Sequence, residues 1–348
     1  MKIILLMDKG GGVSFHRLFT PFADLQTTYP NVTVDVSQER DEWIDIDFEK
    51  YDVCVFSRWM GNYHYNLIEK LKLSNCKIWV DNDDYWVLPK WNPAYKAYKK
   101  LIKNALLDAF QFADIITTTT QKLADEIRTV TNTPIFVIPN CLDLKQSQWN
   151  IPKVKSNKLR IGWVGGSSHE EDLKVLGNSI KRFCEEYDAE FYMGGHMIEY
   201  GVWHDMEKCI TGTTVDKRPD WFKTIRASSP DAYGSMYAQF DIAIAPLQES
   251  RFNSFKSELK IIEAAAYNLP IICSNVHPYK LHQYNAGCIL TTNNEESWYL
   301  DLVGMKIFTQ TFQMGSKNAE YCNENYNLKE FTKYRYELLC NLITNDLN

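Results

Sequence analysis

The sequence predicts an α/β protein made of two Rossmann-like domains, and three observations predict it. Short apolar runs alternate with amphipathic stretches. The alternation starts twice, near residue 2 and again at residue 159, each time as strand, glycine turn and helix. The stretch between the two series is polar and aperiodic. A length of 348 residues agrees, since domains run to roughly 100–200 residues each.

The first series opens with KIILLM (2–7), the turn Gly10-Gly11-Gly12 and the periodic stretch VSFHRLFTPFADL. Further strands are expected at YDVCVFS (51–57), CKIWVD (76–81), ADIITTTT (113–120) and PIFVIPN (134–140). The helices between them are YNLIEKLKL, AYKAYKKLIKNALLDAFQF and QKLADEIRTV. CLDLKQSQWNIPKVKSNK reads as the linker. The second series has strands LRIGWVGG (159–166), AEFYMGG (189–195), FDIAIAPL (240–247) and LPIICS (269–274). Its helices are DLKVLGNSIKRFCEEY and KSELKIIEAAAYN, and NLKEFTKYRYELLCNLI (327–343) forms a terminal amphipathic helix. The expected domains are 1–148 and 149–326, followed by a C-terminal helix, 327–348, that returns to the first. In open α/β sheets ligands sit outside the carboxyl ends of the strands, so two facing domains would share a cleft.

Composition narrows the function classes. Hydrophobic residues are 45% and charged residues 24%, ordinary for a folded soluble protein. Lys plus Arg is 38 against 44 Asp plus Glu, a net charge of −6. That balance gives no general attraction to polyanions: it disfavours nucleic acid and a polybasic anchor, and leaves a local basic cleft and peripheral membrane contact open. The nine cysteines are scattered with no CxxC pair, which fits neither a zinc knuckle nor a disulfide framework, and points to buried thiols in a reducing cytoplasm. MKIILLMDKGGG is too briefly apolar for a signal peptide, and no run approaches the roughly 20 apolar residues of a spanning helix.

Four constellations can carry chemistry. In PLQESRFNSFKSELKIIEAAAYNLPIICS (246–274) a helix is expected from near Ser254, placing Lys256, Lys260 and Glu263 on one face. Its N-terminus, Lys256 and the Ser257 hydroxyl would suit a phosphate, and Glu263 would accept hydrogen bonds from ribose hydroxyls; the other reading is an exposed helix with incidental charge pairs. Gly165-Gly166-Ser167-Ser168-His169 lets backbone N–H groups approach a diphosphate, or is simply a tight turn. Gly11 and Gly12, followed by His16 and Arg17, occupy the matching edge of the first domain, with Arg17 either on a donor phosphate or an anionic acceptor, or on the surface. Asp81-Asn82-Asp83-Asp84 admits a metal site, a solvated N-cap cluster, or an acceptor cradle with Tyr85 and Trp86 in which Asp83 or Asp84 orients or deprotonates the acceptor hydroxyl. His64 and Asn140 carry no decided role.

FNSFKSELKIIEAAAYNLPIICS resembles the signature of retaining GT-B nucleotide-sugar glycosyltransferases, in the family 4-like, group 1 subgroup whose motif reads FN, KS, K and E before a small-residue helix and a strand. GGVSFHRLFTPFADL, KIWVDNDDYWVLPKWNP, ADIITTTTQKLADEI with VIPNCLD, and LRIGWVGGSSHEEDL resemble further segments of that subgroup in the same order. The resemblance spans roughly residues 1–275. It implies a GT-B fold with a deep cleft and sugar transfer, with retention, from a UDP- or GDP-linked donor to an acceptor hydroxyl, by default on a glycan or surface polysaccharide. It implies no required cofactor and no metal.

By the same resemblance Lys256 stabilises the leaving diphosphate beside Gly165, Gly166, Ser167 and His169, and His196 either meets the nucleotide base or is a structural or surface histidine. There is one departure. Relatives often carry a second glutamate eight positions before the first-named one, and here that position is Phe255, so the contact to the donor sugar would pass to Asn253 or a backbone amide. Three other functions remain: glycosylation of a modified DNA base, sugar-nucleotide epimerisation, and non-catalytic nucleotide-sugar binding. A nicotinamide dehydrogenase is disfavoured because neither glycine turn spells GxGxxG.

Overall fold

The computed structural model describes residues 1–308 and 313–346 and divides into two compact units. The first comprises Met1–Asp143, Phe255–Ser257 and Tyr326–Asn348; the second comprises Leu144–Ser254 and Glu258–Asn325.

The first unit is built on a six-stranded parallel sheet: β1 (Lys2–Leu6), β2 (Thr33–Ser37), β3 (Val53–Ser57), β4 (Lys77–Asn82), β5 (Ile115–Thr118) and β6 (Ile135–Val137). Their order is β2-β1-β3-β4-β5-β6. Central strands read as unbroken apolar runs because both faces are covered, as in VCVFS of β3. Ile3, Leu5, Val53, Val55 and Trp79 pack against Leu18, Phe22 and Leu25, and against Leu338, Leu339 and Leu342 of the terminal helix Leu328–Thr344. The chain turns one way from β1 to β2 and the other way from β3 onward, so the topological switch lies between β1 and β3.

The second unit repeats the plan with β7 (Arg160–Val164), β8 (Glu190–His196), β9 (Phe222–Arg226), β10 (Ile242–Ala245), β11 (Ile271–Ser274) and β12 (Cys288–Thr291). Their order, β12-β11-β10-β7-β8-β9, is that of a doubly wound dinucleotide-binding sheet, with the switch between β7 and β10. Trp163, Phe191, Met193 and Ile244 form its core with Phe183, Trp203, Trp298 and Leu302 from the covering helices.

Three strands escape the sequence reading, and all three are edge strands. β2, β9 and β12 lie at sheet margins; TVDVS and FKTIR interleave polar residues, and the apolar run of CILT is only three residues long. Two helices are also corrected. VSFHRLFTPFADL contains a π-helical turn, Phe15–Phe19, before the α-helix Thr20–Thr28. Pro21 cannot donate an intrahelical bond, and the wider turn before it accommodates that loss. The helix expected from Ser254 instead starts at Leu259, because Asn253–Phe255 forms a 3-10 turn and Phe255–Ser257 belongs to the first unit. Lys256 therefore does not share a helical face with Lys260 and Glu263.

Leu339 is fully buried. Leu339→Ala is expected to cost about 2–5 kcal/mol of stability by opening a cavity beneath β1 and β3. Urea denaturation measures the cost, and a change within 0.5 kcal/mol would show that the terminal helix contributes little to this core.

Candidate functional site

In the second unit, β7 and β10 end side by side at the switch point, and the loops after them are locked together by one buried carboxylate. Asp172 is 1% exposed. Its Oδ2 meets His169 Nδ1 at 2.7 Å. Its Oδ1 accepts from the Gln248 backbone N–H at 2.9 Å and from Asn253 Nδ2 at 2.8 Å. Asn253 Nδ2 also donates to the Gln248 carbonyl at 2.9 Å. His169 and Asn253, both expected at the donor, are thus the fasteners of its loops. Asp172 stands in the segment LRIGWVGGSSHEEDL that carries the resemblance, three positions after His169, yet was not among the expected site residues.

The glycines of this edge are required by close approach. A Cβ on Gly165 would lie 2.4 Å from the Trp163 ring, and one on Gly195, whose φ is +89°, would lie 2.3 Å from the Gly165 carbonyl oxygen. Gly166 faces open space, with no atom within 4 Å of where its Cβ would be. Ser167 begins the short 3-10 turn that follows. Lys260, from the helix Leu259–Ala266, donates to the Val164 carbonyl and brings its ammonium to 5.7 Å from the Trp163 ring. A cation therefore stands where β7 gives way to the open glycine turn.

Glu263, one turn further along, is 1% exposed and accepts from the Tyr237 hydroxyl at 2.7 Å. Burial raises its pKa above the ordinary carboxylate value, while Lys260 and the hydroxyls of Tyr233 and Tyr237 act in the opposite direction. His196, at the end of β8, is 4% exposed, with Nε2 2.6 Å from Glu207 Oε1. Arg218 donates to both oxygens of Glu207, at 3.0 and 2.8 Å. This chain fixes the His196 ring against Trp203.

The first unit places the remaining expected residues in two linked clusters. Arg17, expected at the surface or on a ligand, is instead 3% exposed and bidentate to Asp81, at 3.0 and 2.7 Å. Asp81 also accepts from Thr117 Oγ1 at 2.7 Å, so neither member of the pair faces an acceptor. Arg17 Nη1 donates to the Ile138 carbonyl and to Asn140 Oδ1, and Asn140 Nδ2 donates to Ser257 Oγ at 2.7 Å. The π turn of Phe15–Phe19 carries Arg17 into this position. Gly11 and Gly12 lead into that turn, with free space beside Gly12. Burial lowers the pKa of His16 to about 4, and of His64 to about 4.

The second cluster centres on Arg58, which the sequence reading missed. It sits at the end of β3, beside the switch of this sheet, in the left-handed region at φ +63°. Its Nε and Nη2 both lie 2.8 Å from Asp83 Oδ1, Nη2 is 3.8 Å from Asp84, and Nη1 donates to the Tyr98 hydroxyl. Burial raises the pKa of Asp84, and Lys256 and Arg58 lower it. Among the described residues no group of three or more His, Cys, Asp or Glu side chains is arranged to hold a metal. Tyr85 and Trp86 are corrected from cradle to core: they are 6% and 5% exposed, with Tyr85 against Phe255 at 4.5 Å and Trp86 against Phe110 at 5.6 Å.

Comparison with known proteins adds an independent finding. Residues 158–303, most of the second unit, match the family described as Glycosyl transferases group 1. Among solved structures, the sucrose-phosphate synthase of Thermosynechococcus elongatus is similar over 99% of both chains at 11% identity, with a TM-score of 0.71. An alpha-glucosyltransferase in complex with UDP-glucose and DNA is similar over 98% of this chain and 99% of its own, at 12% identity and a TM-score of 0.67. Anabaena HepE in complex with UDP and glucose matches over the same shares at 12% identity and 0.64. No curated protein sequence matches the chain. At these identities the likeness establishes the fold: two Rossmann-like units of the GT-B class.

Two outcomes test the geometry. Asp81→Asn leaves Arg17 buried without its countercharge and is expected to destabilise the first unit by about 3–5 kcal/mol in urea denaturation. For Glu263, the folded pKa is raised, so the unfolded chain releases that proton first. Stability attributable to this carboxyl therefore falls as pH rises from its ordinary value of 4.5 through the raised folded value. Glu263→Gln removes that component of the pH–stability slope; an unchanged slope would show that the carboxyl titrates normally.

Proposed function

We propose that the chain is a glycosyltransferase that moves a sugar from a nucleotide-diphosphate donor to an acceptor hydroxyl with retention of configuration. The observation that carries this reading is the switch point of the second unit. An open glycine turn, the Lys260 ammonium and the buried Glu263 converge there, within the residues that match the glycosyltransferase family. The difficult event in such a transfer is growth of negative charge on the leaving diphosphate. Backbone N–H groups at Gly166 and Ser167, with Lys260 behind them, supply a preorganised positive potential for it. Glu263 receives ribose hydroxyls in place of its tyrosine partners. Retention follows when the acceptor attacks from the face the leaving group vacates, with the departing phosphate taking the acceptor's proton.

On the acceptor side, the neutralised cluster Arg58–Asp83–Asp84–Lys256 offers carboxylates to orient a hydroxyl. The default acceptor is a glycan. A DNA-base hydroxyl is the second reading, favoured by the likeness to an alpha-glucosyltransferase solved with UDP and a 13-mer DNA.

A thermal-shift panel of UDP- and GDP-sugars tests the donor. A ligand present at 100 times its Kd stabilises the fold by about 2.7 kcal/mol, a rise of several degrees. Lys260→Ala is expected to weaken donor binding at least ~10-fold, the equivalent of ~1.4 kcal/mol, read as the ligand-induced shift relative to the variant's own ligand-free Tm. Lys256→Ala separately tests whether the side chain beside Asp84 takes part. No shift with any nucleotide sugar, or an undiminished shift in Lys260→Ala, removes this reading.

A further inference from the structure

The net charge of −6 conceals a strongly basic island. Residues 90–107 hold five lysines, Lys90, Lys96, Lys99, Lys100 and Lys103, and not one aspartate, glutamate or arginine. They lie on the segment that follows the carboxyl end of β4 and continues as helix: Tyr95–Ala97, a π turn Tyr98–Ile102 and Lys103–Phe112. Eighteen residues of helix extend about 27 Å. Ala105, Leu106, Ala109 and Phe110 are buried on the inner side, and Tyr98 is held by Arg58. Lys90, Lys96 and Lys99 are exposed, and Lys103 is half-buried. Among the described residues none of these four pairs with a carboxylate, and Lys99 rests 5.9 Å above the ring of Tyr95. Val87, 43% exposed, flanks the island.

We propose that this lysine face docks the chain on an anionic bilayer surface. Lysine is a hydrated point charge suited to a diffuse negative potential, whereas phosphates at fixed positions on a nucleic-acid strand favour the arginine fork, which is absent here. Half-buried Trp91 and Tyr95 are side chains of the kind that settle at headgroup level. No helix among the described residues is long and apolar enough to cross a membrane, so contact through this face is peripheral, reversible and sensitive to salt. The inference does not rest on the activity proposed above, because docking is read without donor or acceptor.

The test is sedimentation of the full chain with phosphatidylcholine vesicles, with and without phosphatidylglycerol, at low and high salt. Binding is expected only to the phosphatidylglycerol vesicles and is lost at high salt. Replacing Lys90, Lys96 and Lys99 together by Gln should lower partitioning about 100-fold while leaving thermal unfolding unchanged; Lys96→Glu alone should lower it measurably. The proposal is overturned if the chain ignores phosphatidylglycerol vesicles, binds neutral ones equally, or binds as well after the triple substitution. It is equally overturned if duplex DNA, and not the vesicle, is retained in a lysine-dependent way.

Discussion

The buried Asp172 carboxylate is the interaction on which the candidate site depends. Parallel strands deliver loops to one edge of the sheet, but nothing in strand pairing fixes the shape of those loops. Here one side chain does so, by joining His169 from the loop after β7 to Gln248 and Asn253 from the loop after β10. A carboxylate removed from water is tolerable only when its lone pairs are occupied, and the same requirement obliges both loops to converge on it. The glycine turn can remain open because its neighbours are held in place for it.

The first unit solves a comparable problem with a salt bridge. Arg17 and Asp81 neutralise each other beneath the carboxyl edge of β4, and Asn140 relays that order to Ser257. Above them Arg58 and Lys256 balance Asp83 and Asp84. The buried pair is a foundation, while the upper cluster keeps partial access to solvent.

Most of the architecture was legible because central strands of a doubly covered sheet must be apolar throughout, as YDVCVFS and FDIAIAPL are. Three of the four edge strands were not, whereas β6, the fourth, was read from PIFVIPN because its run stays apolar. In the candidate site, Lys260 and Glu263 could be read from helical spacing because both lie within one unbroken helix. Lys256 could not, because the helix begins only after it. Arg58 gave no signal at all: its conformation is one that non-glycine residues rarely adopt, and its partner is twenty-five positions away. Phe255 explains the departure from the paired-glutamate pattern. Its ring lies against Tyr85, with Lys122 5.4 Å from its face, so the position serves packing in the first unit.

The π turn at Phe15–Phe19 has a consequence for how this chain can vary. It holds one residue more than an ordinary helical turn would, and removing that surplus would restore a regular coil. Each residue of an α-helix advances the azimuth by about 100°, so the excision would swing the guanidinium of Arg17 away from β4. The irregularity is thus an angular setting, and indels here should be selected against even though the helix itself would welcome them.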